Sequence, residues 1–553
     1  MKAYRNFIAV SLLLAILLPP IACQNRQSPD KQSASNTPAA KKDSLLSQNG
    51  LEDPSIPGGF STQKTLHFDS TAIPAFFKSY PALAPLQKDM QKFYADRGFA
   101  YAWYDTKGLI EQADNLYNRV INIADEGLPD KIPYKDSLIH LFNDDREALN
   151  HANAANELML TAQYFNYARF AWGGLSESQT KSMDWFLPRK KLNLPALMDS
   201  LLKDQSSTLI QKGYVYRQYD LLRKYLARYR AIAAQNDWPN ILPGKKPFSK
   251  GDSTGAIAII RKKLFQFGDL SDNSGSAVYD SVLENGVKNY QTRLGIKQDA
   301  VIGPSTIREL NKPLLSSIRQ IMVNMERSRW VPVSLDRDYL VVNIPAFQLF
   351  VFQKDSLLFS MNAVVGKSVH KTVIFNGKLQ YVVFSPYWNV PSGIMKNEVL
   401  PGIRRNPNYL KNHNMEWSGK TVRQRPGPAN PLGKVKFLFP NQYDIYLHDS
   451  PSKGLFNEDT RAFSHGCIRL ADARKLAIYL LRNDPAWTIP NIDREMNSGK
   501  EKWVTLKDQV PVFIAYFTAW VDSQGRLNWR KDIYNRDERL AATLFENTKQ
   551  PKK

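Results

Sequence analysis

The hydrophobic pattern of the chain changes its period once, and this change limits the folds open to it. Up to about Arg327 apolar residues recur three or four positions apart, as Leu222 and Leu226 do, which predicts helices. After Tyr339 they gather in short β-branched and aromatic runs, at 339–344 and 348–352, which predict strands. A chain of 553 residues is too long for one core. We therefore predict a multidomain α+β protein with its β-dominated domain last.

Breaks in composition divide the chain further. Residues 1–23 have a basic start and an apolar run too short to span a bilayer, which is typical of a cleaved export signal. Residues 24–63 are rich in Ser, Gln and Asn and predict a flexible tether. The remaining boundaries give an all-helical scaffold over 64–246, a small three-helix domain over 247–313, a connecting helix and linker over 314–336, a β-dominated domain over 337–485, and an extension over 486–553 with a β-hairpin packed on that domain.

The chain has two cysteines, Cys23 and Cys467. Ala22 and Cys23 resemble a bacterial lipobox, whose cysteine becomes the lipidated first residue, although Pro20 stands where leucine is usual. Ordinary cleavage that leaves a soluble product is the alternative. If Cys23 carries lipid, Cys467 is a lone thiol in an oxidising compartment, where such a thiol is a liability unless it is used. This favours a chemical role for Cys467.

The net charge of +22 predicts either a polyanionic partner or a basic, solvated surface with no particular partner. An export signal removes nucleic acid as the usual target. We therefore expect an acidic wall polymer or acidic lipid as the partner, and no nucleic acid.

Cys467 lies in the segment 464–469 together with His465 and Gly466, and His448 follows a strand-like run upstream. A thiol, an imidazole and a glycine this close together point to covalent acyl transfer. On residue types alone, either histidine can be the base. Asp472 predicts a helix start, and a helix N-terminus just after the nucleophile would stabilise a thiolate. A metal site lacks paired ligand spacing, so we expect neither metal nor cofactor.

The run Ser464-His-Gly-Cys-Ile-Arg469, read with His448 and the loop between, resembles the signature of the L,D-transpeptidases, enzymes with a YkuD-like β fold. The order of domains resembles their large periplasmic, YcbB-like subclass. The resemblance implies that Cys467 is the nucleophile and that His448 is the base, oriented by the backbone carbonyl of Asp449.

It further implies that His465 and Gly466 shape the pocket, that the backbone N–H groups of Gly466 and Cys467 bind the oxyanion, and that Arg469 holds a carboxylate of the donor stem peptide. Ser464 is assigned to the substrate side. Tyr387 and Trp388 either line the groove or pack as core aromatics. The insert over about 395–421 corresponds to an irregular lid over the cleft.

The segment from about Phe248 to Pro313 resembles, over nearly its whole length, the three-helix peptidoglycan-binding domain. The turn at Asp299–Thr306 is the most specific part of the match, with Ala300 where that family usually has glycine. A helical spacer without a ligand is the alternative. The combined resemblance implies an exported, periplasmic transpeptidase that acts on peptidoglycan stem peptides and glycan, anchored to a membrane by its signal or lipid and accompanied by other wall-synthesis enzymes. A carboxypeptidase, a protein-to-wall attachment enzyme and a non-catalytic wall-binding lipoprotein are the alternatives.

Overall fold

The computed structural model describes residues 63–546, apart from residues 145, 190, 204–215, 236, 332–336 and 355. The predicted export signal, Cys23 and nearly all of the predicted tether lie outside the described residues. Within them, no helix combines the length and the apolar character that crossing a membrane requires.

Helices make up most of the described chain up to residue 240. They are interrupted by a hairpin with two residues in each strand, β1 (Tyr104–Asp105) and β2 (Gly108–Leu109). The helices are α1 (Ala72–Ser79), α2 (Gln87–Asp96), α3 (Glu111–Ile121), α4 (Lys135–Asn143), α5 (Arg146–Leu149), α6 (Ala154–Ala168), α7 (Glu177–Ser182), α8 (Leu194–Lys203) and α9 (Gln218–Ala234). Helix α6 is buried along nearly its whole length, so the others pack around it.

Three helices form the small domain predicted over 247–313: α10 (Gly255–Phe267), α11 (Ser281–Leu294) and α12 (Pro304–Leu310). The side chains of Thr254 and Asp280 cap the first two of these helices, which fixes their starts. Ala300 has φ +57°, a left-handed conformation that favours glycine. Its N–H donates to Gln291 Oε1 at 2.9 Å, so the turn forms with alanine in the usual place of glycine.

The connecting helix α13 (Leu314–Trp330) leads to the β-dominated domain. The strands of its main sheet are β3 (Tyr339–Asn343), β4 (Gln348–Gln353), β5 (Ser356–Gly366), β6 (Asn376–Phe384), β10 (Val435–Leu438), β11 (Leu447–His448), β12 (Ala462–Ser464), β13 (Ile468–Leu470) and β14 (Lys502–Ala515). They form one sheet in the order β12-β5-β13-β11-β10-β6-β14-β3-β4. Because β5 pairs with β4 through its first half and with β13 through its second, the sheet curls back on itself.

One face of this sheet packs on a hydrophobic core. The core also takes side chains from helices α17 (Ala473–Leu481) and α18 (Ile489–Met496), as well as Trp185 of the helical region and Trp330 of α13. The helical region and the sheet are therefore joined by a shared core.

The insert between β6 and β10 has regular structure, whereas the sequence suggested an irregular stretch. It contains β7 (Trp388–Asn389), α14 (Ser392–Ile394), a π-helical turn (Met395–Val399), α15 (Leu400–Arg405), α16 (Tyr409–Asn412), β8 (Met415–Ser418) and β9 (Thr421–Gln424). Val390, Val399 and Val422 form a small core of its own. That core lets so short a segment keep helices and a three-stranded sheet.

The C-terminal extension differs from expectation in two ways. Strand β14 is an internal strand of the large sheet, paired with β6 and β3, so the β-domain continues past residue 485. The hairpin of β15 (Ala519–Val521) and β16 (Leu527–Trp529) packs in the core formed by α9 to α13, because its apolar side chains lie against those helices. The chain then continues into α19 (Arg536–Ala541).

Candidate active site

Two neighbouring parallel strands, β11 and β13, bring the predicted catalytic residues together. Leu447 pairs with Ile468 and both belong to the core, while His448 pairs with Arg469 one position along. Since side chains alternate along a strand, His448 and Arg469 point away from the core. Cys467 directly precedes Ile468 and so lies on the same face as His448.

The imidazole of His448 is buried, with 4% of its surface exposed, and its Nδ1 lies 2.5 Å from the backbone oxygen of Asp449. This contact makes Nδ1 the protonated nitrogen and leaves the lone pair on Nε2. Burial first, and then the charge of Arg469, lowers the pKa of His448 to about 4. His448 is therefore a neutral imidazole at physiological pH.

The position of Asp449 is fixed by its own side chain. The carboxylate accepts the backbone N–H of Lys434 at 2.9 Å and pairs with Lys453 at 2.7 Å. Gly433 has φ +62°, and a Cβ placed there would meet the Asp449 carboxylate at 2.4 Å. Gly433 thus leaves room for the Asp449 carboxylate. That carboxylate fixes Asp449, whose backbone oxygen orients His448.

The sequence predicted a thiolate favoured by a following helix, and this prediction is wrong. Strand β13 follows Cys467 directly, and helix α17 begins only at Ala473. Burial raises the pKa of Cys467, although a hydrogen bond with the Tyr446 side chain and the charge of Arg469 oppose the rise. The thiol donates to the backbone oxygen of Asp444 at 3.5 Å. The described state is therefore a neutral thiol and a neutral imidazole on one face of the sheet.

Ser464 and Gly466 fix the turn that presents the thiol. The buried Ser464 hydroxyl donates to the Cys467 backbone oxygen at 2.5 Å and accepts the Gly466 N–H at 3.1 Å. The Gly466 N–H, one of two expected oxyanion donors, is thus engaged within the turn. The Cys467 N–H has no hydrogen bond among the described residues, and Gly466 itself has φ +123°.

A second set of hydrogen bonds supports this turn from behind. Thr372 Oγ1 donates to the Gly466 backbone oxygen at 2.8 Å and accepts the Gly366 N–H at 2.9 Å. The Tyr534 hydroxyl donates to the Gly366 backbone oxygen and accepts the Thr372 N–H. The C-terminal extension therefore contributes directly to the support of the nucleophile's turn.

His465 and Arg469 occupy different environments beside the thiol. His465 is exposed, and its ring lies 5.0 Å from that of His370; partial burial and then the charges of Lys367 and His370 lower its pKa. The Nε of Arg469 is buried and has no hydrogen-bond partner among the described residues. A half-buried guanidinium with an unused donor is suited to bind an anionic group of a ligand.

Tyr387 and Trp388 contact the insert. The Arg423 guanidinium lies 4.1 Å from the centroid of the Tyr387 ring, and the Tyr387 N–H donates to Glu501 at 2.9 Å. Trp388 packs against the small core of the insert. Neither residue contacts Cys467 or His448 within the described contacts.

Sequence reasoning missed Tyr446, Asp444 and Thr372. Tyr446 lies two residues before His448 on the same face, and its ring centroid is 5.7 Å from that of His448. The two-residue spacing along the strand was the signal that would have found it. Asp444 and Thr372 act through the geometry of the folded chain, and no local pattern marks them. No three His, Cys, Asp or Glu side chains in the described ranges are grouped so as to hold a metal ion.

Comparison with known proteins agrees with this geometry. Residues 337–489 match the family model of the YkuD L,D-transpeptidase catalytic domain, and residues 88–226 match that of a scaffold domain. A Haemophilus influenzae protein assigned as an L,D-transpeptidase is 30% identical over 243 residues, which cover 40% of this chain and 49% of that protein. The chain thus spans about half the length of this relative.

Solved structures similar to the chain include L,D-transpeptidases from Xylanimonas cellulosilytica and Stackebrandtia nassauensis. Each is 13% identical and covers 49% of this chain, with 99% and 96% of the respective solved chain covered and TM-scores of 0.17 and 0.23. Structural similarity at such TM-scores is too weak to support a family relationship. The similarity to L,D-transpeptidases rests on the family models and on the Haemophilus relative. The chain therefore has one region that matches the YkuD L,D-transpeptidase catalytic domain and another that matches a scaffold domain, an arrangement consistent with the large YcbB-like subclass.

Proposed function

We propose that the protein is a peptidoglycan L,D-transpeptidase that forms 3→3 cross-links through a thioester on Cys467. The observation that supports the proposal is that His448, on β11, and Cys467, directly before the adjacent parallel strand β13, lie on one sheet face. The nucleophile and base of an acyl transfer need this proximity.

In the first step, His448 Nε2 takes the thiol proton as Cys467 Sγ attacks the carbonyl that joins meso-diaminopimelate to the terminal D-alanine of the donor stem. A thiol whose pKa is raised and a base whose pKa is about 4 favour proton transfer during the attack over a preformed ion pair. The Cys467 N–H is the donor left to stabilise the oxyanion, which collapses to the thioester. His448 returns the proton to the amine of the departing D-alanine.

In the second step, the side-chain amine of another stem attacks the thioester carbonyl. His448 removes a proton from this amine, the carbon–sulfur bond breaks, and the Cys467 thiol is restored. Arg469 is the proposed partner for a carboxylate of the donor stem, because its buried Nε has no partner in the described structure. Water or a protein amine as the acceptor would give the carboxypeptidase or attachment reactions instead.

The test is mass spectrometry of the products formed from purified disaccharide-tetrapeptides. We expect D-alanine release with 3→3 dimers from the native protein, and neither product from Cys467→Ala or the near-isosteric Cys467→Ser. A carbapenem should add its mass to the native protein and not to either variant, because the ring is opened by the same thiol. Dimers formed by a folded Cys467→Ala variant would refute the thioester mechanism, and monomeric tripeptides alone would identify a carboxypeptidase.

The place of action is proposed to be the periplasm, with lipid on Cys23 as the anchor. This rests on the export-type leader and on the Ala22-Cys23 pair. Cys23→Ser should move the protein from the detergent phase to the aqueous phase on phase separation, and an unchanged distribution would exclude the lipid anchor.

A further inference from the structure

The sheet face that carries Cys467 continues across three more strands. His448 pairs with Lys436 of β10, Lys436 pairs with Val383 of β6, and Val383 pairs with Trp503 of β14. Residues paired directly across strands point to the same face. Their chain neighbours, including Val382, Phe437, Leu447 and Val504, belong to the core on the opposite face. Lys436 and Trp503 therefore stand on the face of the reactive thiol.

Trp503 is exposed and yet held in place. Its side chain lies on an internal strand, and 53% of the residue's surface is exposed. Its Nε1 donates to Glu501 Oε2 at 3.1 Å, and the Tyr381 ring meets it edge-on with the centroids 5.9 Å apart. Lys436 Nζ lies 5.3 Å from the ring centroid. An indole fixed from three sides and open to solvent is pre-organised for a flat ligand.

Polar groups surround this indole. Glu501 accepts the Tyr387 N–H as well as the indole N–H, and its Oε1 lies 3.7 Å from Lys436 Nζ. Lys436 is 9% exposed, so its ammonium group has lost most of its water, and its contacts are this long ion pair and the Trp503 ring. The carboxylate and the ammonium are therefore placed to bind hydroxyl or amide groups of a ligand lying on Trp503.

We propose that Lys436, Glu501, Trp503 and Tyr381, here called the aromatic row, bind a sugar ring of the glycan strand that carries the donor stem. A pyranose presents an apolar C–H face, which suits an indole, and a rim of hydroxyl and acetamido groups, which suits the charged pair. The inference rests on the proposed function, because the stem that links this sugar to Cys467 is the proposed donor.

The spacing along the sheet agrees with such a ligand. Four strand spacings separate the strand of Trp503 from the segment of Cys467, which is about 19 Å at ~4.8 Å per strand. Three extended residues, up to the one that bears the scissile bond, span about 10 Å. The remaining distance is of the order of a lactyl link and a sugar ring, so a stem lying across β11, β10 and β6 would bring its sugar to Trp503.

The test compares D-alanine release from two donors, a disaccharide-tetrapeptide and the same tetrapeptide without sugars. For Trp503→Ala we expect KM for the sugar-bearing donor to rise about five- to tenfold, the size of one lost aromatic contact, with kcat unchanged. KM for the sugar-free donor and the rate of carbapenem addition to Cys467 should not change. Trp503→Tyr should restore most of the affinity, and Phe170→Ala, which removes an aromatic residue 38% exposed in the helical region, is the control.

An equal loss on both donors would assign Trp503 a structural role, and no loss on either would exclude sugar contact. An effect that appears only when the sugars are on the acceptor would overturn the assignment to the donor strand. If the native protein neither releases D-alanine nor binds the carbapenem, the proposed function fails. Calorimetric binding of the disaccharide-tetrapeptide to Cys467→Ala, with and without Trp503→Ala, then tests the aromatic row by itself, and equal affinities would refute it.

Discussion

Two buried titratable groups, Glu157 in the helical region and His448 in the sheet, differ in how their hydrogen-bonding capacity is used. Glu157 is fully buried and accepts from the Tyr94 hydroxyl at 2.7 Å and from the N–H groups of Ala102 and Trp103 at 2.6 and 3.0 Å. His448 has one bond, from Nδ1, and its Nε2 has no partner among the described residues. A buried group with its capacity filled stabilises the fold, whereas one with an unpartnered nitrogen on the sheet face next to a thiol is suited to chemistry.

The largest effect is expected from replacing His448, the proposed base. His448→Ala should lower kcat/KM for D-alanine release by about 10²- to 10⁴-fold, the range for loss of a general base. The measurement is D-alanine release alongside thermal unfolding. His140→Ala, on the exposed surface of α4, is the control and should match the native protein. Activity within twofold of native would remove His448 from the base role.

The next largest effect is expected on stability, from replacing the buried Glu157. Glu157→Gln keeps the shape of the side chain but turns an amide group toward one of three donors, and should lower the free energy of unfolding by about 1–3 kcal/mol at pH 5, where the folded protein holds the carboxyl protonated. Chemical denaturation measures this loss. The kcat of the folded fraction should stay native, and Glu147→Gln on the exposed part of α5 should change neither quantity. A change in kcat without loss of stability would contradict the structural assignment.

The smallest effect is expected in the pH dependence of stability, in which Glu157 and His448 should differ. Burial raises the pKa of Glu157 to about 7, from 4.5, so its contribution to stability is complete below pH 4.5 and is lost as pH rises through 7. Burial lowers the pKa of His448 to about 4, from 6.5, so its contribution is complete above pH 6.5 and is lost as pH falls through 4. The two groups therefore act on stability in opposite directions.

In the rate profile, kcat/KM should hold down to about pH 5 and fall to half near pH 4, where His448 takes up a proton. Glu157→Gln should keep this acid limb while losing the decline in stability between pH 4.5 and 7. An acid limb centred near pH 6.5 would mean that His448 is not buried in the working enzyme.

Much of the fold follows from sequence because its signals are local, and local signals also nominate the main candidate residues of the site. The change of hydrophobic period separates helices from sheet, and a short strand ends at His448 as its flanking pattern predicts. The choice between His448 and His465 needed the resemblance, since both are near Cys467 along the chain. The structure separates them physically: His448 is buried and oriented, and His465 is exposed.

Other features depend on contacts between distant parts of the chain, which sequence patterns do not report. Strand β14 enters the middle of the sheet from the extension, and the hairpin after it joins a helical core. The pKa of Cys467 depends on burial by neighbouring strands, and this outweighs any benefit from a helix that begins several residues later. His448 and Trp503 share one face of the sheet because of the register of strands β11, β10, β6 and β14, which no sequence pattern reports.

Tyr534 forms hydrogen bonds with Gly366 and Thr372 behind the turn of Cys467, so the support of this turn is completed late in synthesis. Synthesis runs from the N-terminus, so the reactive thiol is made well before the hydroxyl that supports its turn. Until nearly the whole chain has been completed and folded, the thiol lacks its final geometry. A chain released early would therefore carry the cysteine without the Tyr534 hydroxyl that supports its turn.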